Sequence, residues 1–119
     1  MDQSNAFFER CLSFSVGILD VSSCLPRSRS GRHIADQLLR SGTSVGANVQ
    51  EARSGESRAD FIHKMQVALK EVRETLYWLA LIQKATLVKK DSLPSLVKEC
   101  NEITAIIAKS VITAKKNDR

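Results

Sequence analysis

Glycine, proline and aromatic residues are scarce in this sequence of 119 residues, which has 5 Gly, 2 Pro and an aromatic content of 5%. So few turn-forming residues favour long helices over many short elements. Val, Ile and Thr do not recur in alternating runs, which disfavours a β-sandwich or barrel. A hydrophobic content of 43% excludes a disordered chain. The sequence therefore predicts one all-α domain over residues 1–119.

Cysteines are few and long apolar runs are absent. Cys11, Cys24 and Cys100 are an odd number without C-x-x-C spacing, which predicts neither a disulfide framework nor a zinc site. Free thiols indicate a reducing compartment. Asp2 and Glu9 occupy the start of the chain, where a signal peptide would be basic and then apolar. We expect a cytoplasmic protein with no membrane association, no cofactor and no metal.

Apolar residues at spacings of three and four predict four helices, over residues 4–24, 33–54, 57–87 and 92–116. Short connections between them predict an up-and-down four-helix bundle. Gly55 is expected to cap helix two in the left-handed conformation, and Ser57 to open helix three. The apolar face of helix one is predicted to contain Phe7, Phe8, Cys11, Leu12, Ser15, Ile18 and Leu19.

Helix two carries one stripe of small residues and one stripe of polar residues. Gly42 and Gly46 form a small-residue stripe on which another helix can approach closely, and they lack the spacing and the lysine of a phosphate-binding loop. A polar stripe beside it is spaced by four, four and three residues: Arg40, Ser44, Asn48 and Glu51. The short turn to helix three predicts that residues whose numbers sum to about 111 face each other, which places Arg40 near Glu71 and Glu74.

These polar residues predict a structural network that fixes helix register. The alternative is a di-metal site of the ferritin type, which needs Glu-x-x-His on two helices. The one comparable pair is Asp60-x-x-His63, at a helix start. Neither histidine has a catalytic spacing to a cysteine, so we expect no catalytic residue and no enzymatic activity.

The sequence has 18 Lys and Arg against 13 Asp and Glu, a net charge of +5, which favours contact with polyanions. In an up-and-down bundle the first and third connections lie at the same end, so their basic residues can form one phosphate-binding patch. Solubilising charge is the alternative interpretation. No exposed aromatic residue for base stacking is evident. The candidate nucleic-acid-binding residues are Arg27, Arg29, Arg32, Lys89, Lys90, Lys115 and Lys116.

Helix three becomes apolar on all sides over residues 76–82, which exceeds what one core face needs. The surplus apolar residues lie either beneath other elements or between subunits. We expect a homo-oligomer whose interface contains Tyr77, Trp78 and Leu81.

The run QLLRSGTSVGANVQEA at 37–52, followed by DFIHK at 60–64, ALKE at 68–71 and ETLYWL at 74–79, resembles a known bacterial family. This is the four-helix-bundle family encoded in intervening sequences of large-subunit ribosomal RNA genes. The resemblance implies a ring-like homopentamer without known enzymatic activity. It also implies kinship with accessory proteins of diversity-generating retroelements, which bind nucleic acid and a reverse transcriptase. The family's characteristic positions, which imply architecture, fall on Arg40, Ser44, Asn48, Glu51, Glu71 and Glu74.

The sequence thus predicts a non-enzymatic, homo-oligomeric bundle that binds structured RNA or DNA through basic inter-helix connections. A protein-binding scaffold without a nucleic-acid role is the alternative. The expected partners are further copies of the chain, RNA or DNA, and a protein such as a reverse transcriptase.

Overall fold

A computed structural model describes residues 3–117, which form four α-helices and contain no strand. The helices are α1 (Gln3–Ser23), α2 (Arg29–Arg53), α3 (Arg58–Lys84) and α4 (Leu93–Asn117). Each helix packs against its neighbours in the chain, and α1 closes the bundle against α4. The predicted all-α, four-helix architecture is confirmed. None of these helices is long and apolar enough to cross a membrane.

The core lies along the bundle axis and receives residues from all four helices. Its fully buried side chains of largest volume include Ile18, Leu38, Leu79, Ile82, Ile103 and Ile107. At roughly 25 cal/mol per Å² of buried apolar surface, such side chains supply most of the stabilisation of the fold.

The glycine stripe of α2 packs against α1, as the small-residue pattern predicts. A Cβ added to Gly42 would lie 2.7 Å from Cγ2 of Ile18, closer than real Cβ atoms come to other carbons. A Cβ at Gly46 would lie 3.7 Å from the nearest atoms of Cys11 and Ser15, an ordinary contact. The close approach of the two helices therefore requires glycine at position 42.

Helix α2 begins four residues earlier than predicted, at Arg29. The hydroxyl of Ser28 accepts a hydrogen bond from the backbone N–H of Gly31 and caps the helix. Gly31 lies in the first turn of the helix, and a Cβ there would overlap the carbonyl of Pro26, so this close contact requires glycine. The prediction of an exposed connection over residues 25–32 was therefore too long, and Arg29 and Arg32 are helical.

The end of α2 and both ends of α3 have defined caps. The Ser57 hydroxyl accepts from the backbone N–H of Asp60, as expected, at 3.1 Å. Gly55 does not have a positive φ, so the predicted left-handed cap was wrong, and Ser54 caps α2 with its N–H instead. The left-handed residue is Thr86, with φ of 53°, which ends α3 at Lys84 before the predicted residue 87. A β-branched residue is strained in that conformation.

The predicted core face of α1 is correct in part. Cys11 and Ile18 are buried as expected, and three further members are half-buried: Phe7, Phe8 and Ser15. The buried apolar residues of α1 are spaced by three, four and three: Cys11, Phe14, Ile18 and Val21. Leu12 and Leu19, expected on the core face, are about half exposed, at 47% and 52%, and Val16 between them is 61% exposed. Apolar residues occupy several faces of this helix, so spacing alone did not select the buried one. We call Leu12, Val16 and Leu19 the α1 stripe.

Candidate nucleic-acid interface

The alternating helix directions give the bundle two distinct ends. One, which we call the connection end, contains the α1–α2 and α3–α4 connections. The other, the terminal end, contains the start of α1, the α2–α3 connection and the end of α4. An ion pair of 2.7 Å between Lys90 Nζ and Asp20 Oδ2 joins the third connection to the end of α1. This contact agrees with the prediction that the first and third connections are neighbours.

Three arginines at the connection end surround the N-terminus of α2. Arg27 lies in the connection, Arg29 is the first residue of the helix, and Arg32 lies one turn further; all three are exposed. The first turn contains no acidic residue. A helix N-terminus carries about half a positive charge, so these arginines add to a positive potential that no carboxylate of the first turn offsets.

The lysines of the third connection differ in their surroundings. Lys89 is exposed and has no ion pair within residues 3–117, whereas Lys90 is bound to Asp20. The hydrogen bond that Lys90 donates to the Asp20 carboxylate raises the pKa of Lys90 above its usual value. Asp20 also compensates the charge of Lys90, so this residue contributes less to the patch than predicted.

Lys115 and Lys116 do not belong to the same patch. They lie in the last turn of α4, at the terminal end. From Leu93 to Lys115 the helix rises about 33 Å at 1.5 Å per residue. The predicted set of seven basic residues is therefore divided between opposite ends of the bundle.

The contacts predicted for Arg40 with Glu71 and Glu74 are present on the α2–α3 face. The Arg40 guanidinium donates to Glu71 Oε2 at 3.2 Å and to Glu74 Oε2, and it also donates to the side-chain oxygen of Gln37. The two carboxylates are less exposed than the arginine, so Arg40 covers them from the solvent side. One guanidinium thereby holds two like charges one helical turn apart.

The other members of the polar stripe bond locally. Ser44 Oγ donates to the carbonyl of Arg40 at 2.6 Å, and Asn48 Nδ2 donates to the carbonyl of Ser44 at 2.9 Å. Glu51 pairs with Lys64 across the helices at 3.6 Å. These residues satisfy backbone groups of α2 and the edge of its contact with α3, which is a structural role.

Sequence reasoning missed a buried hydroxyl pair at the same contact. Thr75 Oγ1 lies 2.8 Å from the carbonyl oxygen of Glu71 and 2.9 Å from Ser41 Oγ. Because a hydroxyl has one proton, Thr75 donates to the carbonyl and accepts from Ser41. Both residues are completely buried. The helical spacing of Ser41 with Leu38 and Val45 was the signal that it faces the core.

A second ion-pair network joins α1 to α4. Arg10 donates from Nε and Nη2 to the two carboxylate oxygens of Glu99, at 2.7 and 2.6 Å, and from Nη2 to Glu102 at 3.1 Å. The hydrogen bonds from Arg10 lower the pKa of Glu99 below its usual range. No short connection joins these helices, so their register could not be predicted from turn length.

The aromatic residues of α3 are only partly free to form an interface. The Trp78 ring packs edge to face against Tyr77 and His33, with centroids 5.0 and 6.0 Å away, and its indole N–H donates to Glu74. Trp78 and Leu81 are half-buried, whereas Tyr77 is 60% exposed. The expectation that no aromatic residue is available for base stacking was wrong for Tyr77.

The three cysteine thiols differ in their surroundings. Cys11 and Cys100 are buried, and burial raises the pKa of each to about 12. Cys24 is exposed. No three His, Cys, Asp or Glu side chains in the described part of the chain could hold a metal ion together.

Comparisons with known proteins agree with the resemblance. A family model described as "23S rRNA-intervening sequence protein" matches residues 3–109. A crystal structure of a protein of unknown function, from the S23 ribosomal protein family of Bacteroides thetaiotaomicron VPI-5482, matches with a TM-score of 0.82. The two chains are 34% identical over 92% of this chain and 98% of the other. No curated protein matches the sequence.

Proposed function

Because this chain belongs to the 23S rRNA-intervening sequence protein family, we propose that it is a non-enzymatic, self-associating bundle that binds the phosphate backbone of structured RNA or DNA. The connection end is the proposed contact surface. The family description contains the words 23S rRNA, which is consistent with an RNA ligand and does not require one.

The observation that carries the proposal is the set of basic side chains at the connection end that have no ion pair in the described part of the chain. Arg27, Arg29, Arg32 and Lys89 are exposed and have no ion pair within residues 3–117. In contrast, Arg10, Arg40 and Lys90 are occupied by carboxylates. Free cations beside a positive helix terminus attract phosphate, and their binding releases counterions from the nucleic acid.

Titration of the purified protein with a structured RNA and a duplex DNA, at low and near-physiological salt, tests this function. We expect dissociation constants in the micromolar range or below at low salt. We also expect a steep loss of affinity as salt rises, because the slope counts displaced counterions. Absence of binding at low salt would indicate that the positive charge only keeps the protein soluble, and it would favour the alternative function of a protein-binding scaffold.

Self-association is supported by the α1 stripe. Its three apolar side chains are spaced by four and three residues and form one exposed row on the outside of α1. Exposed apolar patches on soluble proteins commonly mark association sites. We propose that the α1 stripe contributes to the subunit contact, in addition to or in place of the predicted set Tyr77, Trp78 and Leu81. Light scattering at several protein concentrations measures the number of subunits, for which the resemblance predicts five.

Two expectations from the sequence stay predictions: nucleic-acid binding by Lys115 and Lys116, which lie at the terminal end, and a protein partner such as a reverse transcriptase. Pull-down of nucleic acid by variants that lack the basic residues of one end or the other shows which end binds.

A further inference from the structure

The outer face of α3 carries an exposed aromatic ring within a row of cations. Lys70, Arg73, Tyr77 and Lys84 are all exposed and lie on one side of the helix at spacings of three, four and seven residues. None of the three cations has an ion pair within residues 3–117. At its end this face meets the third connection, and therefore the connection end.

The Tyr77 ring is held by its neighbour. Its centroid lies 5.0 Å from that of Trp78 in an edge-to-face arrangement. Trp78 is in turn fixed by its hydrogen bond to Glu74 and by contact with the His33 ring. A ring held in place loses little conformational freedom on binding, so a ligand that stacks on it does so at a low entropic cost.

From this arrangement we propose that Tyr77 is a stacking site for an unpaired base of RNA or DNA, and that Arg73 and Lys84 bind the phosphates on either side. The inference rests on the proposed nucleic-acid function and specifies its ligand as a strand with accessible bases. Aromatic rings stack on unpaired bases because each base has a π-face, so the site discriminates little between sequences. Duplex stems hide these faces, which confines the site to loops, bulges and ends.

The competing use of Tyr77 is as part of a subunit contact, and oligomer mass distinguishes the two. In a stacking site, removal of the ring changes affinity for bases and leaves assembly intact. In a subunit contact, the same change lowers the mass of the oligomer.

The test compares a ten-nucleotide single-stranded RNA with an abasic strand that has the same number of phosphates. Fluorescence anisotropy gives each dissociation constant, for the wild-type protein and for Tyr77→Ala and Tyr77→Phe. We expect Tyr77→Ala to weaken binding of the intact strand roughly 5- to 100-fold and to leave the abasic strand unchanged. Tyr77→Phe keeps the ring and should bind like the wild type, and all three proteins should have the same mass by light scattering.

Three results overturn the inference. Equal affinity of wild type and Tyr77→Ala for the intact strand, with duplex binding retained, refutes the stacking site while the proposed function stands. A lower oligomer mass for Tyr77→Ala assigns Tyr77 to the subunit contact. Absence of wild-type binding to every nucleic acid at low salt refutes the proposed function and this site together.

Discussion

The Trp78 indole and the Arg40 guanidinium meet on one carboxylate, that of Glu74. Trp78 Nε1 lies 3.0 Å from Glu74 Oε2, and the same oxygen accepts from Arg40 Nη2. Trp78 is the only tryptophan in the chain. Its fluorescence therefore reports directly on the network that fixes α2 against α3.

Replacing Arg40 should disturb both stability and fluorescence. Arg40→Leu leaves Glu71 and Glu74 with uncompensated like charges one turn apart. Since Arg40 is about half exposed, we expect a modest loss of about 1 kcal/mol in the free energy of unfolding. We also expect a changed Trp78 emission maximum. Arg73→Leu, which removes an exposed cation without an ion pair in the described chain, is the matched control. Unchanged unfolding, emission and oligomer mass for Arg40→Leu would refute the network.

The two glycines of α2 should respond oppositely to alanine. Gly42→Ala forces a methyl group against the buried side chain of Ile18, and overpacking of this kind costs about 1–3 kcal/mol. Gly46→Ala meets only ordinary contacts and gains up to about 1 kcal/mol of helix propensity. Thermal unfolding of the two variants measures the difference. A higher melting temperature for Gly42→Ala than for the wild type would contradict the close approach of α1.

The Arg10–Glu99 pair should make stability depend on pH in the acid range. Because Arg10 lowers the pKa of Glu99 in the folded state, the pair stabilises fully above the unfolded value near 4.5. That stabilisation is lost as the pH falls through the lower folded value. Glu99→Gln should therefore cost about 0.5–1 kcal/mol at pH 7 and less at about pH 3, below the unfolded pKa, where the stabilisation is being lost. Urea unfolding at both pH values checks this, and an equal cost at both would exclude the ionic contribution.

A charge within the α1 stripe should weaken self-association. Val16→Lys places an ammonium group among apolar side chains that the proposed subunit contact buries, where an unpaired charge is unfavourable. We expect the dissociation constant of the oligomer to rise at least about tenfold, while the unfolding of the separate subunit is unchanged. Ala47→Lys, at an exposed position of α2, is the control and should keep the wild-type mass. Equal masses for both variants would remove the α1 stripe from the interface.

Much of the α2–α3 contact could be predicted from the sequence because a short connection fixes register. The summing rule placed Arg40 opposite Glu71, and their atoms lie 3.2 Å apart. The contact between Arg10 and Glu99 could not be predicted, since α1 and α4 are joined only through the rest of the bundle. The register of two helices could therefore be predicted only where a short connection joins them.

The candidate interface was only partly predictable for a similar reason. Basic residues at the connection end could be recognised from topology, but the pairing of Lys90 with Asp20 depends on a side-chain contact between distant residues. Gly31 looked like part of a connection, whereas it lies in the first turn of α2, where a side chain would overlap the carbonyl of Pro26. Residues 76–82 of α3 are apolar on every side of the helix, so the sequence did not show which of them face the core. The exposure of Tyr77 could therefore not be predicted.

Two variants of equal charge test the central claim most directly. Arg27, Arg29 and Arg32 are replaced by Gln in one protein, and Lys109, Lys115 and Lys116 in the other, so each loses three positive charges from one end of the bundle. Both are titrated with the same structured RNA over a range of salt. We expect the arginine variant to lose at least about tenfold in affinity and roughly 2 to 3 units of salt slope, and the lysine variant to stay within about twofold of the wild type. Equal losses in both, or a larger loss in the lysine variant, would contradict binding at the connection end.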